Sequence, residues 1–228
     1  MLDDLKDRVY KANIALEKTG LVILTWGNVS EIDRNSGYVA IKPSGVAYSR
    51  MTRSDIVITD LDGNVIEGKL KPSSDLATHL EIYRNFPEIN GITHTHSSWA
   101  TIFAQCGRAI NPLGTTHADT FYGEVPCTRK LTSDEIKSDY EANTGKVICE
   151  CVLNTFDKVP AVLVHSHGPF TWGKDAAQSV ENAVILEQTA MMAWHTLMMS
   201  KEQTFQQELL DKHYLRKHGK DAYYGQGR

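Results

Sequence analysis

With 228 residues, 41% of them hydrophobic, the chain can close one sizeable core and is short of the length at which splitting becomes the default. One domain over residues 1–228 is therefore expected. The formal net charge of −4 and a pI near 6.1 supply no basic excess, so neither nucleic acid nor an anionic membrane is an expected partner.

The first twenty residues carry charges where a secretion signal needs an unbroken apolar stretch, and no run of about 18 apolar residues follows. A soluble, cytoplasmic protein is the expectation. Leu2, Leu5, Val9, Ala12 and Leu16 fall at helical spacing, and Gly20 stops that helix. "LVILTW", "YVAIKP", "DIVITDL" and "NVIEG" read as short strands, the last two joined by the hairpin signal Asp62-Gly63. "SSDLATHLEIYRNF" reads as a helix entered through serine, followed by the strand "GITHTH" and a helix across "SWATIFAQCG". "LTSDEIKSDYEANTG" starts with Thr132 and Glu135 in capping-box register and is expected to end at Gly145. The run "KVICECV", the strand "AVLVHSH" and a long helix from Lys174 to Met199 come next, and the basic stretch "DKHYLRKHGKD" reads as a solvated last helix. Interleaved strands and helices without a strict βαβ rhythm point to an α/β fold with a central, mainly antiparallel sheet flanked by helices. Cys106, Cys127, Cys149 and Cys151 form no C-x-x-C, which suits reduced thiols and argues against a thiolate metal site. Neither G-x-G-x-x-G nor G-K-[ST] occurs in a nucleotide-binding context.

Two constellations carry chemistry. Alternate residues of a strand share a face, so His94 and His96 can converge on one ion, and either His165 or His167 could add a third nitrogen from a neighbouring strand. One His-x-His pair is readily explained as hydrogen-bonded structure at a strand end; two such pairs favour a metal. His79, His117, His195, His213 and His218, each alone, read as packing or surface residues. The second constellation is "TWGNVS", "IKPSGV" and "KPSSD", three turns whose N–H groups suit a phosphate, with Lys42 beside them.

On "TWGNVS", "IKPSG", "KPSSD", "HTHS", "GTTHAD", "PCTR", "HSHGPF", "HYLRKHG" and "AYYGQ", in that order from residue 25 to residue 226, the chain resembles the class II aldolase/adducin-like family, and within it the sugar-phosphate 4-epimerases. The resemblance implies a divalent metal, zinc first and manganese or cobalt as alternatives, held by His94, His96 and His167, with Asp75 in or next to its shell. It places Gly27, Asn28, Lys42, Ser44, Gly45, Ser73 and Ser74 around the phosphate and hydroxyls of a phosphorylated pentulose. It further implies cleavage and re-addition across a carbon–carbon bond, with Asp119 and Tyr224 as proton acceptor and donor supplied across subunit boundaries of a homotetramer. Two relatives within the family compete. Aldolases of the L-fuculose-1-phosphate type resemble "SSE" where this chain has "SSD", and the adducin head, an assembly module, has no need of the metal histidines.

Overall fold

Backbone alternation along one strand settles the layout. In β1 (Asn28–Asp33), Asn28, Ser30 and Ile32 face one side of the sheet, and Val29 and Glu31 the other. Residues 2–200 and 204–224 are described by the computed structural model. Besides β1 the strands are β2 (Tyr38–Ile41), β3 (Val57–Thr59), β4 (Val65–Glu67), β5 (Gly91–His94), β6 (Ala161–Leu163) and β7 (Pro169–Gly173). They form one seven-stranded sheet in the order β4-β3-β2-β1-β5-β7-β6, and every named pairing is antiparallel. The helices are α1 (Leu2–Lys18), α2 (Leu76–Asn85), α3 (Ser98–Cys106), α4 (Thr115–Ala118), α5 (Ser133–Lys137), α6 (Tyr140–Val152), α7 (Ala176–Met199) and α8 (Gln207–His218).

Ile32 packs with Leu76, Leu80 and Tyr83 of α2 and with Ile148 and Val152 of α6, so this pair covers one face. Val29 packs with Ala12 and Leu16 of α1 and with Ala176 and Val180 of α7, which cover the other. Each valine, leucine or isoleucine among them, fully buried, contributes about 1.5–3 kcal/mol. Polar groups fix the helices lengthwise. Glu31 accepts from the N–H of Ala176 at the start of α7 (2.9 Å) and pairs with Arg8 of α1 (2.6 Å), and Glu187 of α7 accepts from the N–H groups of Trp99 and Ala100 at the start of α3 (2.8 and 3.0 Å).

Several expected elements differ. "LVILTW" is not a strand: Leu24 adopts a positive φ of 56°, the Trp26 N–H bonds the Ile23 carbonyl (3.0 Å), and the segment turns outward, leaving the ladder to start at Asn28. The Asp62-Gly63 hairpin exists, but as a wider loop in which Asp60 Oδ1 accepts from the Asp62 and Asn64 N–H groups (2.9 and 2.8 Å). The helix expected to end at Gly145 is two helices, and Gly145 lies inside α6. There it lets α6 press on α2: a Cβ at 145 would stand 2.5 Å from Glu81 Cβ and 3.0 Å from the Thr78 carbonyl oxygen. The Thr132–Glu135 capping box is present, at the start of α5. "AVLVHSH" stops being strand at Leu163, which puts both of its histidines in the turn before β7. The α8 cations are not merely solvated, since His213, Arg216 and Lys217 all reach Asp119.

Gly145→Ala should lower stability by about 1–2 kcal/mol, because overpacking against α2 outweighs the helix propensity gained by alanine. A urea titration reads this directly. An unchanged or higher midpoint would show that α2 and α6 are not in the contact described.

Candidate functional site

The antiparallel register sets Asn28 opposite His94 and His94 opposite Phe170, which brings three central strands to one point. All three side chains lie on the α2/α6 side. The His94 ring stacks on Phe170 (centroids 4.1 Å apart, planes at 18°), and its Nδ1 donates to the Pro169 carbonyl (2.9 Å). With the proton fixed on Nδ1, the Nε2 lone pair is free. It faces His96 Nε2 at 3.1 Å, and His94, His96 and His167 each offer a nitrogen within 4.8 Å of the others. Burial, reinforced by the neighbouring His94 and His96, brings the His167 pKa down to about 3, and burial likewise lowers that of His96. Both rings are thus kept in the neutral form that ligates metals. A donor set of three imidazoles with convergent lone pairs fits a divalent ion of the zinc type.

Of the two candidates for the third nitrogen, the turn selects His167. His165 points away, its Nδ1 on Ser166 Oγ (2.7 Å) and its ring against Gly107, where a Cβ would stand 2.4 Å from Nε2. His167 Nδ1 lies 3.5 Å from the hydroxyl of Tyr140, the first residue of α6 and one that sequence reasoning did not single out. Asp75, at the start of α2, receives the Asn28 amide on Oδ2 (2.6 Å). Burial would raise its carboxyl, but His94, His79 and the Asn28 amide outweigh that and hold it below its ordinary value. Asp75 is therefore ionised beside the three imidazoles.

The three serine-bearing turns converge on the same place. Ser44 N–H bonds the Lys71 carbonyl and Ser73 N–H the Lys42 carbonyl (both 3.0 Å), with Pro43 bridged to Pro72. Lys42 is only 2% exposed and makes no ion pair among the described residues; its Nζ reaches only the Thr25 and Pro43 carbonyls (3.4 and 3.3 Å) and lies 4.8 Å above the Tyr48 ring. Burial brings its pKa down to about 8. A cleft of about 400 Å³ is lined by Gly27, Asn28, Lys42, Ser44, Gly45, Ser73, Ser74, Asp75, His94, His96 and His167, together with Thr25, Trp26, Pro43, Tyr140 and Glu141.

Asp119 and Tyr224 stand elsewhere. Asp119 caps the C-terminus of α4 and is clasped by α8: His213 Nδ1 and Arg216 at 2.9 Å, Lys217 at 3.3 Å. Burial pulls the other way, yet hydrogen bonds from His213 and Arg216 hold this carboxyl below its ordinary value. Tyr224, 58% exposed, lies over Arg216 and Lys217 (4.6 and 4.5 Å to its ring centre). The two share α8 as a platform, and neither lines the cleft of its own chain. Residues 225 and 226 of the "AYYGQ" motif lie outside the described residues.

Residues 7–194 match the family model of the class II aldolase and adducin N-terminal domain, which spans most of the chain. The chain belongs to the class II aldolase and adducin family. Among solved structures it is similar to an L-fuculose 1-phosphate aldolase, with 27% identity over 92% of this chain and 95% of that one and a TM-score of 0.75. The fold is shared with the L-fuculose 1-phosphate aldolase from Glaciozyma antarctica (20% identity, 96% and 84% covered, TM-score 0.77). It is shared also with the L-fuculose-1-phosphate aldolase from Thermus thermophilus (22%, 88% and 98%, TM-score 0.67). No helix among the described residues is long and apolar enough to cross a membrane.

Gly168 ties the turn to the site, since a Cβ there would stand 2.7 Å from the Thr95 carbonyl oxygen and 3.3 Å from the His96 ring. Gly168→Ala should weaken zinc affinity by about tenfold or more, the scale of a displaced supporting contact. Competition with a chromophoric chelator reads this without any activity assay; unaltered affinity would mean that His96 is not held where the metal needs it.

Proposed function

We propose that the protein is a metal-dependent epimerase interconverting L-ribulose 5-phosphate and D-xylulose 5-phosphate by cleavage and re-addition across the bond between carbons 3 and 4. The observation that carries this reading is a single cleft holding three convergent imidazoles, an ionised Asp75 and a buried lysine that has no anionic partner among the described residues. His94, His96 and His167 would hold the divalent ion, zinc first, with manganese or cobalt as substitutes, and Asp75 stands in or next to its shell. Such an ion, when bound, is a Lewis acid that stabilises negative charge on a sugar oxygen. Lys42 and the turns at Gly27, Asn28, Ser44, Gly45, Ser73 and Ser74 would take the phosphate and neighbouring hydroxyls.

The hydrogen on carbon 4 is not next to the carbonyl, so simple deprotonation cannot invert that centre. Cleavage gives the enediolate of dihydroxyacetone and glycolaldehyde phosphate; the phosphate keeps the aldehyde tethered while it turns, and re-addition to its other face completes the inversion. The 4-hydroxyl needs a proton acceptor on one face and a donor on the other. We assign these to Asp119, which its α8 partners keep in the accepting, ionised form, and to the Tyr224 hydroxyl. Because neither lines the cleft of its own chain, the reading has a neighbouring subunit supply them, and we take the assembly to be a homotetramer. The whole chain, residues 1–228, is taken as one domain of that assembly.

A second reading is a class II sugar-phosphate aldolase of the L-fuculose-1-phosphate type, supported by the similar solved structures that bear that name. The two differ in whether the aldehyde leaves. The carboxylate supports the first: Asp75 is the shorter acid and accepts from the Asn28 amide, whereas the aldolase pattern resembles a glutamate there.

Incubation with L-ribulose 5-phosphate should give D-xylulose 5-phosphate without nicotinamide, and the enzyme should condense dihydroxyacetone with glycolaldehyde phosphate. Rapid accumulation of free aldehyde with little epimer would select the aldolase instead. Tyr224→Phe should preserve fold, metal content and oligomer size while lowering epimerisation by about 10²-fold, the usual scale for a lost general acid. Tyr223→Phe, whose ring lies over Lys212, is the control and should cost far less. Equal effects of the two substitutions would remove Tyr224 from the mechanism.

A further inference from the structure

Tyr48 does not itself line the cleft, yet two elements of the phosphate pocket meet on it. It is 3% exposed, at the start of a short 3-10 turn over the α1 side of the sheet, among Leu5, Val9, Ile56 and Ile58. Its hydroxyl donates to the carbonyls behind the cleft wall, Gly27 at 2.9 Å and Trp26 at 3.2 Å. The face of its ring lies 4.8 Å from Lys42 Nζ.

Each contact has a consequence for an anion. In a trans peptide the N–H points opposite the C=O, so holding the Trp26 carbonyl toward Tyr48 turns the Gly27 N–H the other way, and carbonyl oxygens that would repel a phosphate are kept behind the wall. The turn requires a glycine: the φ of Gly27 is +78°, and a Cβ would stand 2.9 Å from the His94 carbonyl oxygen. The ring face, being negative, steadies an ammonium that has carbonyl oxygens but, among the described residues, no carboxylate to neutralise it. A carboxylate in that position would have stabilised Lys42 better but would also have spent its charge. An aromatic face holds the lysine in place and leaves the charge for the ligand.

We propose that Tyr48 is a positioning residue for phosphate recognition, its hydroxyl aiming the Gly27 turn and its ring aiming Lys42. The inference rests on the reading of this cleft as a phosphate site and deepens it. The hydroxyl cannot serve in proton transfer, since it is spent on the two carbonyls and burial raises its pKa well above the ordinary value.

The test compares Tyr48→Phe with Lys42→Met in the full-length, metal-loaded protein. Tyr48→Phe removes the hydroxyl and keeps the ring, so KM for L-ribulose 5-phosphate and the competitive inhibition constant of inorganic phosphate should both rise by about 5- to 10-fold, the scale of one lost hydrogen bond, with kcat changing far less. Metal content and melting temperature are read in parallel. Lys42→Met should abolish inhibition by inorganic phosphate. If Lys42→Met does so while Tyr48→Phe leaves both constants unchanged, the phosphate reading stands and the role of Tyr48 is overturned. If Tyr48→Phe lowers kcat, metal content and melting temperature together without a selective rise in KM, Tyr48 is a core residue only and the inference fails. If phosphate inhibits the Lys42→Met protein as it does the unaltered one, the cleft is not a phosphate site and both fall.

Discussion

The hydrogen bond from His94 Nδ1 to the Pro169 carbonyl is the contact on which the rest of the site depends. It joins the end of β5 to the start of β7, fixes the tautomer of one imidazole, and sets the turn that delivers His167. Phe170 stacks beneath His94 and the Gly168 backbone closes against His96, so the ring has one orientation. An imidazole fixed in this way loses little freedom when its other nitrogen is used. Because Asn28 sits opposite His94 across β1, the same register carries Asp75 and the serine turns to the metal candidates.

Much of this was legible in the sequence because it depends on local spacing. The amphipathic period of α1, the antiparallel sheet, the His94–His96 pair and the convergence of "TWGNVS", "IKPSG" and "KPSSD" all reduce to which residues share a face or a turn. What failed depended on contacts distant in sequence. Gly145 reads as a stop signal but is a helix interior glycine, since what it answers to is Glu81 in another helix. "LVILTW" has strand composition but no ladder partner. The two His-x-His pairs look alike on paper, yet the first starts on a strand, with His94 the last residue of β5 and His96 just beyond it, whereas in the second a turn sends His167 to the cleft and His165 to Gly107. Tyr48 and Tyr140 carried no signal, because their roles lie in residues far along the chain.

Polar groups buried beneath the cleft serve to hold α2 against β1. Ser30 Oγ meets both His79 Nδ1 and the Tyr83 hydroxyl at 2.7 Å, deep on the α2/α6 face. Burial takes the His79 pKa down to about 3, against the pull of the nearby Asp75 carboxylate. Asn13 and Glu31 do the corresponding work on the opposite face, Asn13 exchanging hydrogen bonds with the Val29 backbone. Such directional contacts add less stability than the apolar core but allow fewer alternatives, which is what a site built from six separate segments requires.

The outward turn that displaced the expected first strand leaves Trp26 on the rim of the cleft, 51% exposed and with its ring centre 6.1 Å from that of His96. The other three tryptophans differ: Trp172 is buried with its indole N–H on the Phe156 carbonyl, and Trp99 and Trp194 lie against each other at 5.5 Å. The protein therefore carries its own optical gauge. Of the four tryptophans, Trp26 is the one whose ring a molecule entering the cleft would meet.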